Sequence, residues 1–279
     1  MTIEGRSAQG GPVWLFCPAD RPERFAKAAA CADTVILDLE DGVGEEAKAA
    51  AREAIRQCRL DPARTIIRIN PLGSAHFQPD LDVVERTPFR QLMLPKTETG
   101  DIPPSLGGYD IVALVETPAG VRQLDDIARS SAVSALMWGA EDLVAALGGS
   151  SSRHANGTYR DVAKHLRSAT LLAAKAHGKL AVDGVYLDIP DLDGLAAESA
   201  DAVASGFDIK VALHPTQVAV IAEAYRPGLA ELDWARRVLG AAEHSRGVFA
   251  VDGAMVDAPI LSQARRIVAR ADGVRTGQR

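Results

Sequence analysis

Glu116 closes the apolar run Val-Ala-Leu-Val-Glu, and Asp142 lies in Met-Trp-Gly-Ala-Glu-Asp, just past the next apolar run. Each carboxylate therefore stands at the carboxyl end of one of two successive predicted strands. If those strands are parallel neighbours, their ends share one rim of a sheet. Two hard oxygen donors on that rim suit Mg²⁺, which takes one or two protein carboxylates and completes its octahedron from water and substrate. The competing reading is that the acids cap the helices that follow; Asp142 is placed to do so for a helix at 143–147.

Other candidates lie at the ends of neighbouring runs. Asp38, Glu40 and Asp41 crowd into four positions after the second run. Carboxylates that close repel one another unless a cation balances them. Arg68, in Ile-Ile-Arg-Ile-Asn-Pro on the third run, is the plausible partner, so Asp38 and Glu40 are read as a supporting shell. Arg68 itself has two readings: a buried ion pair that must compensate its desolvation, or an anion clamp whose planar guanidinium matches carboxylate and enolate oxygens. Lys96 follows Met-Leu-Pro after the fourth run, and His214 begins His-Pro-Thr-Gln after the eighth. A desolvated lysine forms Schiff bases, while either residue also serves simply to start a loop. The Gly-Gly-Ser-Ser-Ser-Arg stretch ending at Arg153 reads as a flexible connection or as a phosphate cradle. Asp257 reads locally as the N-cap of the last helix.

These residues need elements to position them. Eight apolar, β-rich runs are legible, at 13–17, 34–39, 65–69, 91–94, 111–115, 135–138, 182–187 and 209–213. Continuous apolar runs suit parallel strands buried on both faces. Helical patterns lie between them at 22–31, with Asp20 as N-cap and Pro22 in the first turn, and at 45–57, 119–130, 160–177, 192–205 and 215–225. Eight strand–helix repeats predict an α/β fold of the (β/α)8 TIM-barrel type, with active residues at the strands' carboxyl ends. An open doubly wound sheet would place a Gly-rich phosphate loop after its first strand, where this chain has Cys-Pro-Ala-Asp.

The barrel domain is expected over 1–225 and a C-terminal helical and hairpin extension over 226–279. A helix at 230–246, a hairpin turning at Asp252-Gly253 and a helix from Pro259 to about Arg270 make up the extension, with 271–279 expected to fray. A lid over the barrel mouth and a reach to an adjacent subunit are its two readings. The 279 residues, 47% of them hydrophobic, suffice for one large barrel. Against 37 acidic residues the 31 basic ones leave a net charge of −6, which argues against nucleic acid as the main partner. No apolar run approaches the roughly 18 residues of a membrane span, and the first residues lack the apolar stretch of a signal peptide. Three cysteines, Cys17, Cys31 and Cys58, without metal-ligand spacing fit a reducing cytoplasm.

Taken in order, Trp-Leu-Phe-Cys-Pro-Ala-Asp-Arg-Pro-Glu-Arg-Phe, Val-Ile-Leu-Asp-Leu-Glu-Asp-Gly-Val, Ile-Arg-Ile-Asn, Met-Leu-Pro-Lys, Val-Glu-Thr, Trp-Gly-Ala-Glu-Asp-Leu, His-Pro-Thr-Gln and Gly-Ala-Met-Val-Asp-Ala-Pro span nearly the whole chain. In that combination the sequence resembles the citrate lyase β-subunit-like proteins, part of the metal-dependent acyl-CoA lyase and HpcH/HpaI aldolase superfamily. The resemblance implies a (β/α)8 barrel, Mg²⁺ with Mn²⁺ as a substitute, and a homotrimer. It matches Glu116 and Asp142 to metal ligands, Glu116 also touching substrate. It matches Arg68 to the substrate-binding arginine, and Asp257 to a catalytic aspartate that related lyases take from an adjacent subunit. Lys96 joins Asp38 and Glu40 as a supporting residue.

The activity so implied is cleavage of a 3-hydroxyacyl-CoA, of the malyl-, citramalyl-, citryl- or 3-hydroxy-3-methylglutaryl-CoA type, to an acyl-CoA and an oxo acid through a thioester enolate. CoA enters as part of the substrate. The sequence shows no fused acyl-carrier region, which is where it departs from the citrate lyase complex. Two alternatives stay open: a metal-dependent aldolase on free 2-oxo acids, and a non-catalytic acyl-CoA-binding barrel.

Overall fold

The computed structural model describes residues 11–244 and 247–276. They form two compact units that divide between Ile221 and Ala222.

The first unit is a closed barrel of eight parallel strands: β1 (Val13–Pro18), β2 (Thr34–Asp38), β3 (Thr65–Arg68), β4 (Gln91–Leu94), β5 (Asp110–Val115), β6 (Val133–Trp138), β7 (Leu180–Asp183) and β8 (Ile209–Ala212). Each strand pairs with the next, and β1 pairs with β8 to close the ring. Closure leaves no unpaired sheet edge. The helices of this unit are α1 (Phe25–Cys31), α2 (Lys48–Gln57), α3 (Phe77–Val84), α4 (Pro118–Arg122), α5 (Leu124–Arg129), α6 (Ala140–Ala146), α7 (Asp161–Ala176) and α8 (Leu192–Ser205), and α9 (Pro215–Tyr225) runs across the division.

Strand side chains alternate faces with period two. Ile36, Ile66 and Leu114 belong to one buried cluster drawn from the strands, with Trp14, Met137 and Val211. Two positions further along the same parity come Asp38, Arg68 and Glu116. The stripe that fills the barrel's apolar centre thus becomes, at the carboxyl rim, a set of charged groups. The register sets Asp38 opposite Arg68 across β2 and β3.

Several boundaries differ from the sequence reading. β7 ends at Asp183 rather than near 187, where its pairing with β8 stops at Lys210, and Gly184 then passes close to the Trp138 ring. The pattern at 119–130 resolves into α4 and α5, interrupted at Gln123, whose backbone leaves the helical region. Asp20 makes no cap bond; Arg21 precedes a 3₁₀ turn that leads into α1. Asp142 is not an N-cap either: Gly139 holds that position, and Asp142 lies in the first turn of α6. α3 is an element beyond those the sequence reading names, although Phe77, Leu81 and Val84 recur at helical spacing.

In the second unit, α10 (Leu229–Glu243) and α11 (Ala258–Thr276) pack with the hairpin β9 (Phe249–Val251) and β10 (Ala254–Val256) around Ala235, Val238, Val256, Ala264 and Ile267. Asp252 and Gly253 both take positive φ, 53° and 80°, as a tight two-residue hairpin turn requires. α11 runs to Thr276, past the expected end near 270; residues 277–279, like 1–10 and 245–246, lie outside the described residues. Among the described residues no helix is long and apolar enough to cross a membrane. Cys17, Cys31 and Cys58 are free.

Candidate active site

A cavity of about 390 Å³ opens at the barrel's carboxyl rim, its wall including Arg68, Asp38, Glu116 and Asp142. Phe16, Met137, Trp138 and Leu213 add apolar and aromatic surface to the lining.

Arg68 is locked in place. Its Nε donates to Asp38 Oδ1 at 2.6 Å and its Nη2 to Asp38 Oδ2 at 2.5 Å, while Nη1 lies 2.9 Å from Glu40 Oε2. The guanidinium also sits 4.7 Å from the centroid of the Phe16 ring. Burial works against its charge, but Asp38, then Glu40 and Glu116, outweigh that and hold it protonated. The two sequence readings of Arg68 are therefore compatible. It is a buried ion pair, and three bonds leave two of its five N–H groups for a ligand.

Asp38 accepts two further bonds, from the N–H of Glu40 and of Gly42, each at 2.8 Å. A side chain at Gly42 would collide with Asp38, so glycine is required there. Beneath this, Lys48 of α2 donates to the carbonyls of Leu39 and Glu40 and to Asn70 Oδ1, at 2.8, 2.9 and 2.9 Å. Asp80 of α3 accepts from Asn70 and from Arg52. This layer fixes the loops after β2 and β3. Sequence reasoning missed it, although the signal existed: Lys48 occupies the stripe of α2 that Ala51 and Ile55 bury.

Glu116 is 3% exposed. Its Oε1 accepts from the N–H of Lys96 at 3.0 Å. Lys96 adopts φ 50°, an uncommon left-handed backbone for a residue with a side chain. A Cβ on Gly139 would stand 2.6 Å from Glu116 Oε2, so the carboxylate depends on that glycine for its space. Burial, and then the neighbouring charge of Asp142, push Glu116 up to about 8. Lys96 Nζ pairs with Glu40 and lies 3.4 Å from Asp142 Oδ1. Burial pulls Lys96 down, but Glu40, Glu116 and Asp142 outweigh it and keep the amine protonated. A protonated amine is no Schiff-base nucleophile, so Lys96 acts here as a counter-charge. His214 Nδ1 lies 2.9 Å from Thr216 Oγ1 at the start of α9, a loop-starting role.

No cluster of three or more His, Cys, Asp or Glu side chains able to hold a metal alone occurs among the described residues. Mg²⁺ does not need one. A carboxylate raised by burial, and then by a second acid, is a donor set short of positive charge, and hard oxygens are the ligands Mg²⁺ prefers. Glu116 and Asp142 fit such an ion.

Asp257 belongs to the second unit, where its Oδ1 accepts from the N–H of Ile260 at 3.2 Å and caps α11.

Parallel strands closed into a ring, with charged residues gathered at the carboxyl rim, define an α/β-barrel enzyme layout. Residues 13–102 and 105–215 match the HpcH/HpaI aldolase/citrate lyase family, and the chain belongs to it. A citrate lyase subunit beta-like protein of Mycobacterium tuberculosis is 55% identical over 261 residues, covering 94% of this chain and 96% of that protein. The mitochondrial citramalyl-CoA lyase of Mus musculus is 29% identical over 295 residues, covering 94% and 86%. The crystal structure of CitE from M. tuberculosis in complex with magnesium, acetoacetate and coenzyme A superposes with a TM-score of 0.90 at 54% identity, covering 95% of this chain and 99% of that one.

Proposed function

We propose that this chain is a Mg²⁺-dependent carbon–carbon lyase that cleaves a 3-hydroxyacyl-CoA to an acyl-CoA and an oxo acid. The observation that carries the reading is Glu116, sealed in the barrel rim, raised to about 8 beside Asp142, and lining one cavity with Arg68. Magnesium, acetoacetate and coenzyme A in the M. tuberculosis CitE complex, and the citramalyl-CoA lyase relative, support the metal and the thioester class.

Glu116 and Asp142 would hold the ion, which supplies Lewis-acid polarisation of a substrate oxygen when bound. Arg68, preset by Asp38 and Glu40, presents its two remaining N–H groups to the oxygen that gains charge as the carbon–carbon bond breaks. Preorganised donors of that kind contribute about 3–4 kcal/mol. Lys96 keeps Glu40 and Asp142 balanced. Asp257 moves a proton to or from the substrate. The C-terminal extension, over 226–279, serves as a lid or reaches the site of a neighbouring copy in a homotrimer, and the free cysteines suit a cytoplasmic protein.

The test is a panel of malyl-, citramalyl-, citryl- and 3-hydroxy-3-methylglutaryl-CoA, with products followed by mass spectrometry and Mg²⁺ present or chelated. Release of acyl-CoA only with Mg²⁺ is expected. Aldol chemistry on free pyruvate or oxaloacetate without thioester cleavage would instead make it an aldolase, and tight acyl-CoA binding without turnover would make it a binding protein.

A further inference from the structure

Six residues close a ring of interactions beside the cavity. Lys210 of β8, fully buried, pairs with Asp183 of β7 at 2.8 Å and with Glu198 of α8 at 3.1 Å. Glu198 also holds Arg153 at 2.8 Å. The Arg153 guanidinium lies 3.6 Å from the centroid of the Tyr159 ring. Tyr159 meets Trp138 edge-on, with centroids 5.1 Å apart. Trp138 returns to the start, its indole N–H donating to Asp183 at 2.9 Å. Arg153, which the sequence offered as part of a phosphate cradle, is committed to this ring, and its Nη1 donates to the carbonyl of Gly157.

The ring clamps Tyr159 on its face and its edge, yet leaves its hydroxyl unused. That hydroxyl makes no hydrogen bond to any described residue, and it is not one of the sealed unpartnered atoms. Tyr159 is 9% exposed and lines the same cavity as Arg68, Glu116 and Asp142. Among the lining residues, which include Trp138, Val185 and Leu187, it carries the one hydroxyl. A clamped ring cannot swing to find a protein acceptor, so the hydroxyl, open to the cavity, is left to water or a ligand.

The geometry points to Tyr159 as a specificity-determining residue, its phenol donating a hydrogen bond to an oxygen of the acyl or oxo-acid part of the ligand. This rests on the lyase reading above. Burial raises the phenol far above neutral pH, so it donates across the working range. The same cavity presents Phe16, Met137, Val185 and Leu187 to carbon substituents, so one fixed donor in it selects which substituent carries oxygen.

The test is Tyr159→Phe, which keeps the ring in its clamp. KM for the cleaved thioester, kcat, the Kd of oxaloacetate and acetoacetate with Mg²⁺, and Mn²⁺ affinity are measured on variant and wild type. KM, or the Kd of an oxo acid, should rise about tenfold, the scale of one lost hydrogen bond, with kcat changed less than about threefold and Mn²⁺ affinity unchanged. Unchanged KM and Kd overturn the assignment. So does a proportional loss of Mn²⁺ affinity, which would mean Tyr159 acts only through the shape of the metal pocket. Wild-type protein that neither cleaves nor binds any of these probes overturns the lyase reading, and this inference with it.

Discussion

Lys96 touches Glu116 through its main chain and Asp142 through its side chain: the N–H donates to Glu116 Oε1 at 3.0 Å, while Nζ stands 3.4 Å from Asp142 Oδ1. The two contacts are separable, because only the second depends on the side chain. Lys96→Met should keep the backbone bond and remove the cation that balances Glu40 and Asp142. The metal-free variant is expected to lose about 1–3 kcal/mol, the cost of leaving a buried charge without one of its partners. Mg²⁺ should recover part of that loss, so the gap between melts with and without Mg²⁺ widens relative to wild type. An unchanged gap would remove the counter-charge role of Lys96.

Glu116 makes stability depend on pH in a definite direction. Its acidity in the fold lies near 8, against an ordinary value of 4.5. Between those values the native state holds a proton that the unfolded chain has released, so this contribution is full below about pH 4.5 and is lost as pH rises through about 8. The shift corresponds to a few kcal/mol. Metal-free protein should therefore melt at progressively lower temperature from about pH 5 to pH 8.5, and Mg²⁺ should flatten the trend by satisfying the carboxylate. Glu116→Gln should flatten it without metal and bind Mn²⁺ at least tenfold more weakly. Thermal melts over that range, with isothermal titration of Mn²⁺, check both parts.

The barrel was legible because its eight strands are continuous apolar runs, and period-two alternation then carries Asp38, Arg68 and Glu116 onto the inner rim. The pairing of Arg68 with Asp38 and Glu40 was legible too, since three acids in four residues demand a cation. What stayed hidden depends on contacts between segments far apart in the chain. Asp80 gains meaning only where α3 brings it against Asn70 and Arg52. Tyr159 and Trp138 meet only because the loop before α7 folds back on β6. The competing reading of Asp142 as a cap fails because Gly139, three residues earlier, starts α6 instead.

Gly139 offers a test of how tightly the site is fitted. A Cβ at that position would stand 2.6 Å from Glu116 Oε2, and the carboxylate, sealed beneath the rim, has little room to retreat. Gly139→Ala should lower kcat/KM at least tenfold and weaken Mn²⁺ binding, while circular dichroism reports an intact barrel. Misplacement by an ångström near reacting groups is worth up to about a hundredfold. Wild-type rates in this variant would mean that Glu116 is not held for catalysis.

Arg68→Lys keeps the charge and loses the fork. A lysine reaches Asp38 or Glu40 as a point charge and cannot hold both while presenting two further N–H groups in one plane. kcat should fall about a hundredfold or more, consistent with removal of a preorganised donor. Near-normal turnover would show that Arg68 serves the ion pair with Asp38 and nothing else.

Asp257 carries two jobs, and the choice of substitution separates them. Its carboxylate caps α11 through the N–H of Ile260, so Asp257→Ala would mix a lost cap, about 1 kcal/mol, with any lost chemistry. Asparagine caps helices about as well as aspartate but cannot exchange a proton near neutral pH. Asp257→Asn should therefore melt within about 0.5 kcal/mol of wild type while kcat falls by about 10²-fold or more, the contribution of a positioned acid or base. If the residue completes the site of a neighbouring copy, Asp257→Asn chains and Arg68→Lys chains refolded together should recover activity that neither has alone, because some sites then receive both intact residues. Mixed oligomers verified by native mass spectrometry that remain as inactive as their parents would place Asp257 in the service of its own chain.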